Sequence, residues 1–225
     1  MARSIFHLMI LLVASLAGLS ACAGGPFGCK FCGAPLFSGI VRTPEGFIVC
    51  KPCNKDGVRD VRTAQALVAQ VRAELGGLGV RLPWGTIPMT LGQPANAKEW
   101  GHCEALRYGN GGVASISMRF MQGMPRSTFK AVAAHELTHA WAYLNRSPMK
   151  QDVTLAEGAP SFLEYTYLER DKSTAGKFRR NLVITNDNAA YGVAARRLQK
   201  YAKGHGGLGG VLAVLKSSRS IPKGY

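Results

Sequence analysis

At 225 residues the chain has room for one domain of ordinary size and a small appendage. A hydrophobic content of 47% supplies a core and argues against wholesale disorder. The formal charge of +15, from 28 basic and 13 acidic residues, favours nucleic acid, anionic lipid or acidic protein as partners without choosing among them. The chain opens with Arg3 and an apolar run, Ile5–Leu19, interrupted only by His7 and Ser15, and then reads Leu19-Ser20-Ala21-Cys22. A basic start, a short apolar centre and small residues before a cut predict a secretory signal peptide over residues 1–21. The run is short for a membrane-spanning helix, which needs about 20 residues. The Leu-Ser-Ala-Cys piece resembles a bacterial lipobox, which makes Cys22 the acylated first residue of the mature chain and anchors it without a spanning helix. Ordinary cleavage near Ala21 or Ala23, leaving Cys22 a free thiol, is the competing reading. Ala23 after the Cys points to the outer membrane, if the lipobox sorting rule applies.

Residues 22–28 form a small-residue linker, and residues 29–57 a cysteine-rich module with few aliphatic side chains. Cys29-x2-Cys32 and Cys50-x2-Cys53 stand 17 residues apart, which is a structural zinc spacing. Four thiolates close a tetrahedral site and leave no open position for chemistry. A segment this short buries too little apolar area to fold alone, so the metal would hold it. Two disulfides are the alternative, since an exported chain meets oxidising conditions. Cys103 has no partner by spacing and reads as a buried or free thiol.

Residues 58–225 make the main domain. Val61, Ala64, Leu67, Val68, Val71 and Leu75 follow a helical period, with Asp60 placed to cap the start and Gly76-Gly77 to end it. Strand-like pieces follow at Val80–Leu82, Ile87–Leu91 and Val113–Met121. Helices are expected over about 127–144, 154–168 and 188–202, the last with Ala190, Tyr191, Ala194, Leu198 and Tyr201 on one face, and a short one over 208–215. Pro160 predicts a late start or a bend in the second of these. Strands first and helices after point to an α+β domain.

The chemistry sits in His135-Glu136-Leu137-Thr138-His139, inside the apolar run Ala131–Leu144. On a helix, positions i and i+4 share a face, so both imidazoles can reach one Zn²⁺, and Glu136 is placed to act as general base on a zinc-activated water. A third ligand is needed. The residues after His139 do not supply a third His at metzincin spacing, and His102 and His205 fall in Gly-flanked, loop-like stretches. Glu157, 18 residues after His139, is the preferred carboxylate, and Glu164 the runner-up. Thr154-x-x-Glu157 also fits a capping box, which would make Glu157 a helix-start residue. Tyr143, Tyr165, Tyr167, Tyr191 and His205 are candidates for a donor to a polarised carbonyl.

His135-Glu136-Leu137-Thr138-His139-Ala140-Trp141 followed by Glu157-Gly158 resembles the DA-one family of metallopeptidases, which are linked to LIM-type zinc modules. The likeness extends, more loosely, to Ser115–Phe120, Gly123–Arg126, Tyr191-Gly192 and Gly207–Pro222, and so covers most of the chain from Cys29 onwards. It implies a compact gluzincin fold preceded by a LIM-like zinc ribbon. It also implies peptidase activity on protein or peptide, with His135, His139 and Glu157 as zinc ligands and Glu136 as acid and base. The fuller LIM region and ubiquitin-binding segments of the family's plant members have no counterpart here.

Together these features predict an exported, lipid-anchored zinc peptidase with one catalytic and one structural Zn²⁺. A binding or scaffold protein with an inactive peptidase-like site is the alternative. The export signal disfavours nucleic acid as the partner of the basic surface and favours the anionic envelope. Six residues, Ala23–Gly28, span at most about 20 Å and would keep the zinc module against the membrane.

Overall fold

A computed structural model describes residues 28–36, 39–83, 85–92, 99–109, 112–145 and 151–225. The expected signal peptide, Cys22 and the linker up to residue 27 lie outside the described residues. The described chain is mixed α+β, as expected.

A short antiparallel hairpin comes first, β1 (Ile40–Arg42) against β2 (Ile48–Cys50), with Val41 opposite Val49. Thr43 closes it: its Oγ1 accepts from the Phe47 N–H at 3.2 Å, its carbonyl from the Gly46 N–H at 2.9 Å, and its own N–H donates to the Phe47 carbonyl at 2.9 Å. Helix α1 (Lys51–Lys55) leaves directly from β2, with Pro52 in the first turn, where a missing N–H costs nothing. Helix α2 (Val61–Gly76) starts where the sequence places it, the Asp60 carboxylate accepting the Thr63 N–H at 2.8 Å. It buries Ala64, Leu67, Val68, Val71 and Leu75. Val61, counted on the same face, is 42% exposed because it sits in the first turn, short of the core.

The main sheet has the order β3-β5-β4. Strand β5 (Val113–Met121) is central, parallel to β3 (Met89–Gly92) and antiparallel to β4 (Gly101–Arg107). Its alternation is real: Ile116, Met118 and Phe120 are buried. Val80–Leu82 is not a strand. Val80 and Leu82 are buried, but the Val80 N–H donates back to the Leu75 carbonyl and closes the end of α2. Strand β4 escaped the sequence pattern because its inward residues are small, Gly101, Cys103 and Ala105, while Leu106 is 66% exposed. His102 therefore lies on a strand and not in a loop.

Five helices complete the fold: α3 (Arg126–Asn145), α4 (Val153–Leu168), α5 (Thr174–Thr185), α6 (Ala194–Gly204) and α7 (Leu208–Ser217). Helix α3 is buried on nearly all sides, with Ala131, Ala133, Ala134 and Ala140 fully buried, so its neighbours can approach closely. Helix α4 is capped by Asp152, whose Oδ1 accepts from the Thr154 N–H and hydroxyl at 2.8 and 3.0 Å. Thr154 is thus not the cap, and Glu157 is released from a capping box. The helix does not start late, and Pro160 lies inside it. Helix α5 was not expected; it buries only Gly176 and Val183, too few for a readable period. The helix anticipated over 188–202 divides into a π turn, Ala189–Val193, and α6. At Gly192 a Cβ would collide with the Asn186 carbonyl oxygen.

One hydrophobic core runs from Cys29, Phe31, Val49 and Cys53 through to the helices. The seam at residue 57 is stitched by the Val58 N–H donating to Met124 and the Gly123 N–H to Val58, both at 2.8 Å. Among the described residues no helix is long and apolar enough to cross a membrane. Helices α4 and α6 approach closely at Gly158, where a Cβ would collide with the Ala194 Cβ. Gly158→Ala is therefore expected to lower stability by about 1–3 kcal/mol. A denaturant midpoint that falls at unchanged slope would show this, and an unmoved midpoint would refute the tight contact.

Candidate metal centres

Two groups of side chains among the described residues could hold a metal ion. The first is Cys29, Cys32, Cys50 and Cys53. Local geometry brings them together. Cys29–Cys32 forms a tight turn in which the Gly33 N–H donates to the Cys29 carbonyl at 2.9 Å and Gly33 takes φ +69°, a conformation suited to glycine. Cys50 ends β2, and Cys53 falls in the single turn of α1. All four are free, and the Cys32 and Cys50 sulfurs lie 3.7 Å apart. That is far beyond a disulfide bond of about 2.0 Å. It is close to the edge of about 3.8 Å of a tetrahedron with metal–sulfur bonds of about 2.3 Å. Burial opposes ionisation of Cys29, but the N–H groups of Cys50, Phe31 and Cys32 win and bring it down to about 7. Burial pushes Cys32 up to about 11 and Cys53 higher still, with the neighbouring thiolate adding to both. A cation among the sulfurs would remove that repulsion.

The second group is His135, His139 and Glu157. The two histidines are one turn apart on α3, with ring centres 4.9 Å apart. Glu157 comes from the second turn of α4, and its Oε2 lies 3.5 Å from His135 Nε2 and 3.4 Å from His139 Nε2. Glu164 does not join this group. It is buried on the far side of His135, with Oε2 3.3 Å from Nδ1, while its Oε1 accepts from Arg179 Nε at 2.5 Å. Glu164 thus holds the ring by one nitrogen and leaves Nε2 facing Glu157. This is a role the sequence does not announce, and Arg179, on the unexpected helix α5, had no signal at all.

Glu136 is 5% exposed and lines the same cleft, of about 740 Å³, as the two histidines and Glu157. Burial pushes its carboxyl above the usual range, against the pull of His135 and His139. Gly101 at the start of β4 makes room for it: a Cβ there would lie 2.6 Å from Glu136 Oε1. Of the candidate donors, Tyr191 and Tyr143 line the cleft, stacked near His135 and His139 at 6.4 and 6.3 Å between ring centres. Tyr167 is turned to Glu74, its hydroxyl donating at 2.6 Å. His205 stacks on Tyr201 at 4.0 Å beyond α6, and neither it nor Tyr165 lines the cleft. Cys103 is both free and buried, on the inner face of β4.

With Glu157 at one ring nitrogen and Glu164 at the other, His135 is set to hold a proton in the absence of metal. Burial works against that charge, but the carboxylates of Glu157 and Glu164 outweigh it and lift the ring to about 10. Glu157 is held far below the usual carboxylate range, its burial overcome by both histidines. A metal must displace the proton on His135 Nε2. Below about 10 that proton competes with the metal, so affinity should strengthen as pH rises, by about tenfold per pH unit between about pH 6 and 9. Competition titrations against a chelator across that range read the slope; a flat profile would mean the free ring is neutral. No protein-family model, curated protein or solved structure matches this chain.

Proposed function

We propose that this chain is a zinc-dependent peptidase of the gluzincin type carried on an exported, lipid-anchored protein. The observation that supports it most is the meeting of His135 Nε2 and His139 Nε2 at one oxygen of Glu157, at 3.5 and 3.4 Å, beside the buried Glu136. Two imidazoles and one carboxylate are the donor set of a catalytic zinc with an open position; four thiolates are that of a closed structural one. Zn²⁺ in the first set would supply Lewis acidity for the scissile carbonyl and activate the attacking water.

The chain's own residues do the rest. Glu136 takes the proton of the attacking water on its carboxylate and passes it to the leaving amine as the C–N bond breaks. Its raised affinity for a proton suits a group that must first accept and then donate. Tyr191 stays a phenol, since burial and then Glu157 push its ionisation up, and its hydroxyl can donate to the carbonyl oxygen. Strand β4 has one neighbour in the described sheet and begins in the cleft at Gly101–Cys103, so an extended peptide can pair with its open side. The resemblance of His135–Trp141 and Glu157-Gly158 to the DA-one family supports the same reading.

Export rests on residues 1–22, and the net charge of +15 suits an anionic membrane face. Membrane-bound wild type should become soluble in high salt as Cys22→Ser, while salt-resistant membrane binding of that variant would discard the lipid anchor. Native mass spectrometry of the mature chain should find two zinc ions, and one in His135→Ala. Glu136→Gln should keep both ions yet lower kcat/KM on a peptide library by about 10²–10⁴-fold. Cleavage by Glu136→Gln at the wild-type rate, or no cleavage by fully loaded wild type, would overturn the peptidase reading, the latter in favour of a binding protein.

A further inference from the structure

The four-cysteine module and the histidine site are joined by an unbroken line of side chains. Glu164, 1% exposed, holds His135 Nδ1 and is itself held by Arg179. Arg179 rides on α5, a helix with little core of its own. Its guanidinium lies on the Trp100 ring, 4.4 Å from the ring centre. Trp100 precedes β4 and is fixed to β5 by its carbonyl, which accepts from the Met121 N–H at 3.0 Å. Its indole meets Phe31 edge-on, at 5.7 Å and 86°. Phe31 is 1% exposed and lies between Cys29 and Cys32, within the first metal turn. The same turn touches α5 directly. Gly33 abuts the Phe178 ring, one residue before Arg179, so closely that a Cβ would collide with it.

We infer that the four-cysteine module is a positioning element of the histidine site, acting through Phe31, Trp100, Arg179 and Glu164 to hold His135 in its metal-binding orientation. The inference rests on the proposed function only in giving His135 a metal to bind. A buried carboxylate bonded to a ligand histidine fixes which ring nitrogen is offered, and loss of such a partner typically weakens metal binding by about 10–100-fold. Arg179 orients Glu164, its Nε donating to Oε1. Trp100 is the surface that sets Arg179, and Phe31 is the wedge that sets Trp100. The module therefore bears on chemistry without contributing a ligand to it.

The test uses the full chain and Zn²⁺ as probe. Affinity at the histidine site is read by chelator competition, zinc at the cysteines by native mass spectrometry, and the His135 Nδ1–H by its proton resonance in the metal-free chain. Phe31→Leu, Trp100→Leu and Arg179→Lys should each weaken the histidine site by about tenfold or more, with the cysteine zinc retained. In all three the Nδ1–H signal should exchange faster. Trp100→Phe keeps a ring under the guanidinium and should stay near wild type. If Phe31→Leu cannot hold the cysteine zinc, Trp100→Leu and Arg179→Lys, both outside the module, carry the test. Affinities within about twofold of wild type and an unchanged Nδ1–H in Phe31→Leu and Trp100→Leu would overturn the inference. A wild type that binds zinc but cleaves nothing would fail the peptidase reading alone, because every arm compares ring and affinity, never turnover. A wild type that binds no zinc at His135 still tests the line through the Nδ1–H signal.

Discussion

Helices α3 and α4 meet across a buried set of charges, and the constraint that every member be paired organises the structure around them. His135 stands between two carboxylates, Glu157 on one ring nitrogen and Glu164 on the other. Glu164 in turn needs a cation, which Arg179 brings from α5. Ionised groups removed from water are tolerated only when paired and hydrogen-bonded. That requirement places three helices at once. The small residues of α3 go with it: its buried alanines let the neighbouring helices come close enough for these side chains to touch.

The two metal-type sites differ in their donors and in their access. The cysteine cluster surrounds its centre and leaves no approach for a substrate. The histidine cluster has three donors on one side and the cleft on the other, with the Glu136 carboxyl and the Tyr191 ring along it. The cysteine module is also not an independent bead. Its buried residues continue into the main core, and Phe31 packs against Trp100 on the wall of the cleft. A module too small to fold by burial alone thus gains a surface to lean on.

Legibility followed the strength of the local signal. The helix bearing His135 and His139 was evident, because its motif and apolar run are contiguous. Strand β5 was evident from its alternation. Strand β4 and helix α5 were not: the first turns small residues inward and the second buries almost nothing. Those two elements carry Gly101 and Arg179, so the sequence concealed what makes room for Glu136 and what holds Glu164. Of the two outcomes read from Pro160, the late start does not occur, since the helix is already formed at Val153 and carries Pro160 inside it.

The sequence by itself determined the donors: four cysteines at knuckle spacing, two histidines one helical turn apart, and a glutamate preferred as their partner. These are short-range facts, set by the periods of turns and helices. Only the tertiary structure decided between the roles of Glu157 and Glu164. Both lie on α4 about two turns apart, and each reaches His135. Which nitrogen each one meets depends on how α4 crosses α3 and where α5 delivers Arg179. Contacts between elements distant in sequence settle that, and no local period records them.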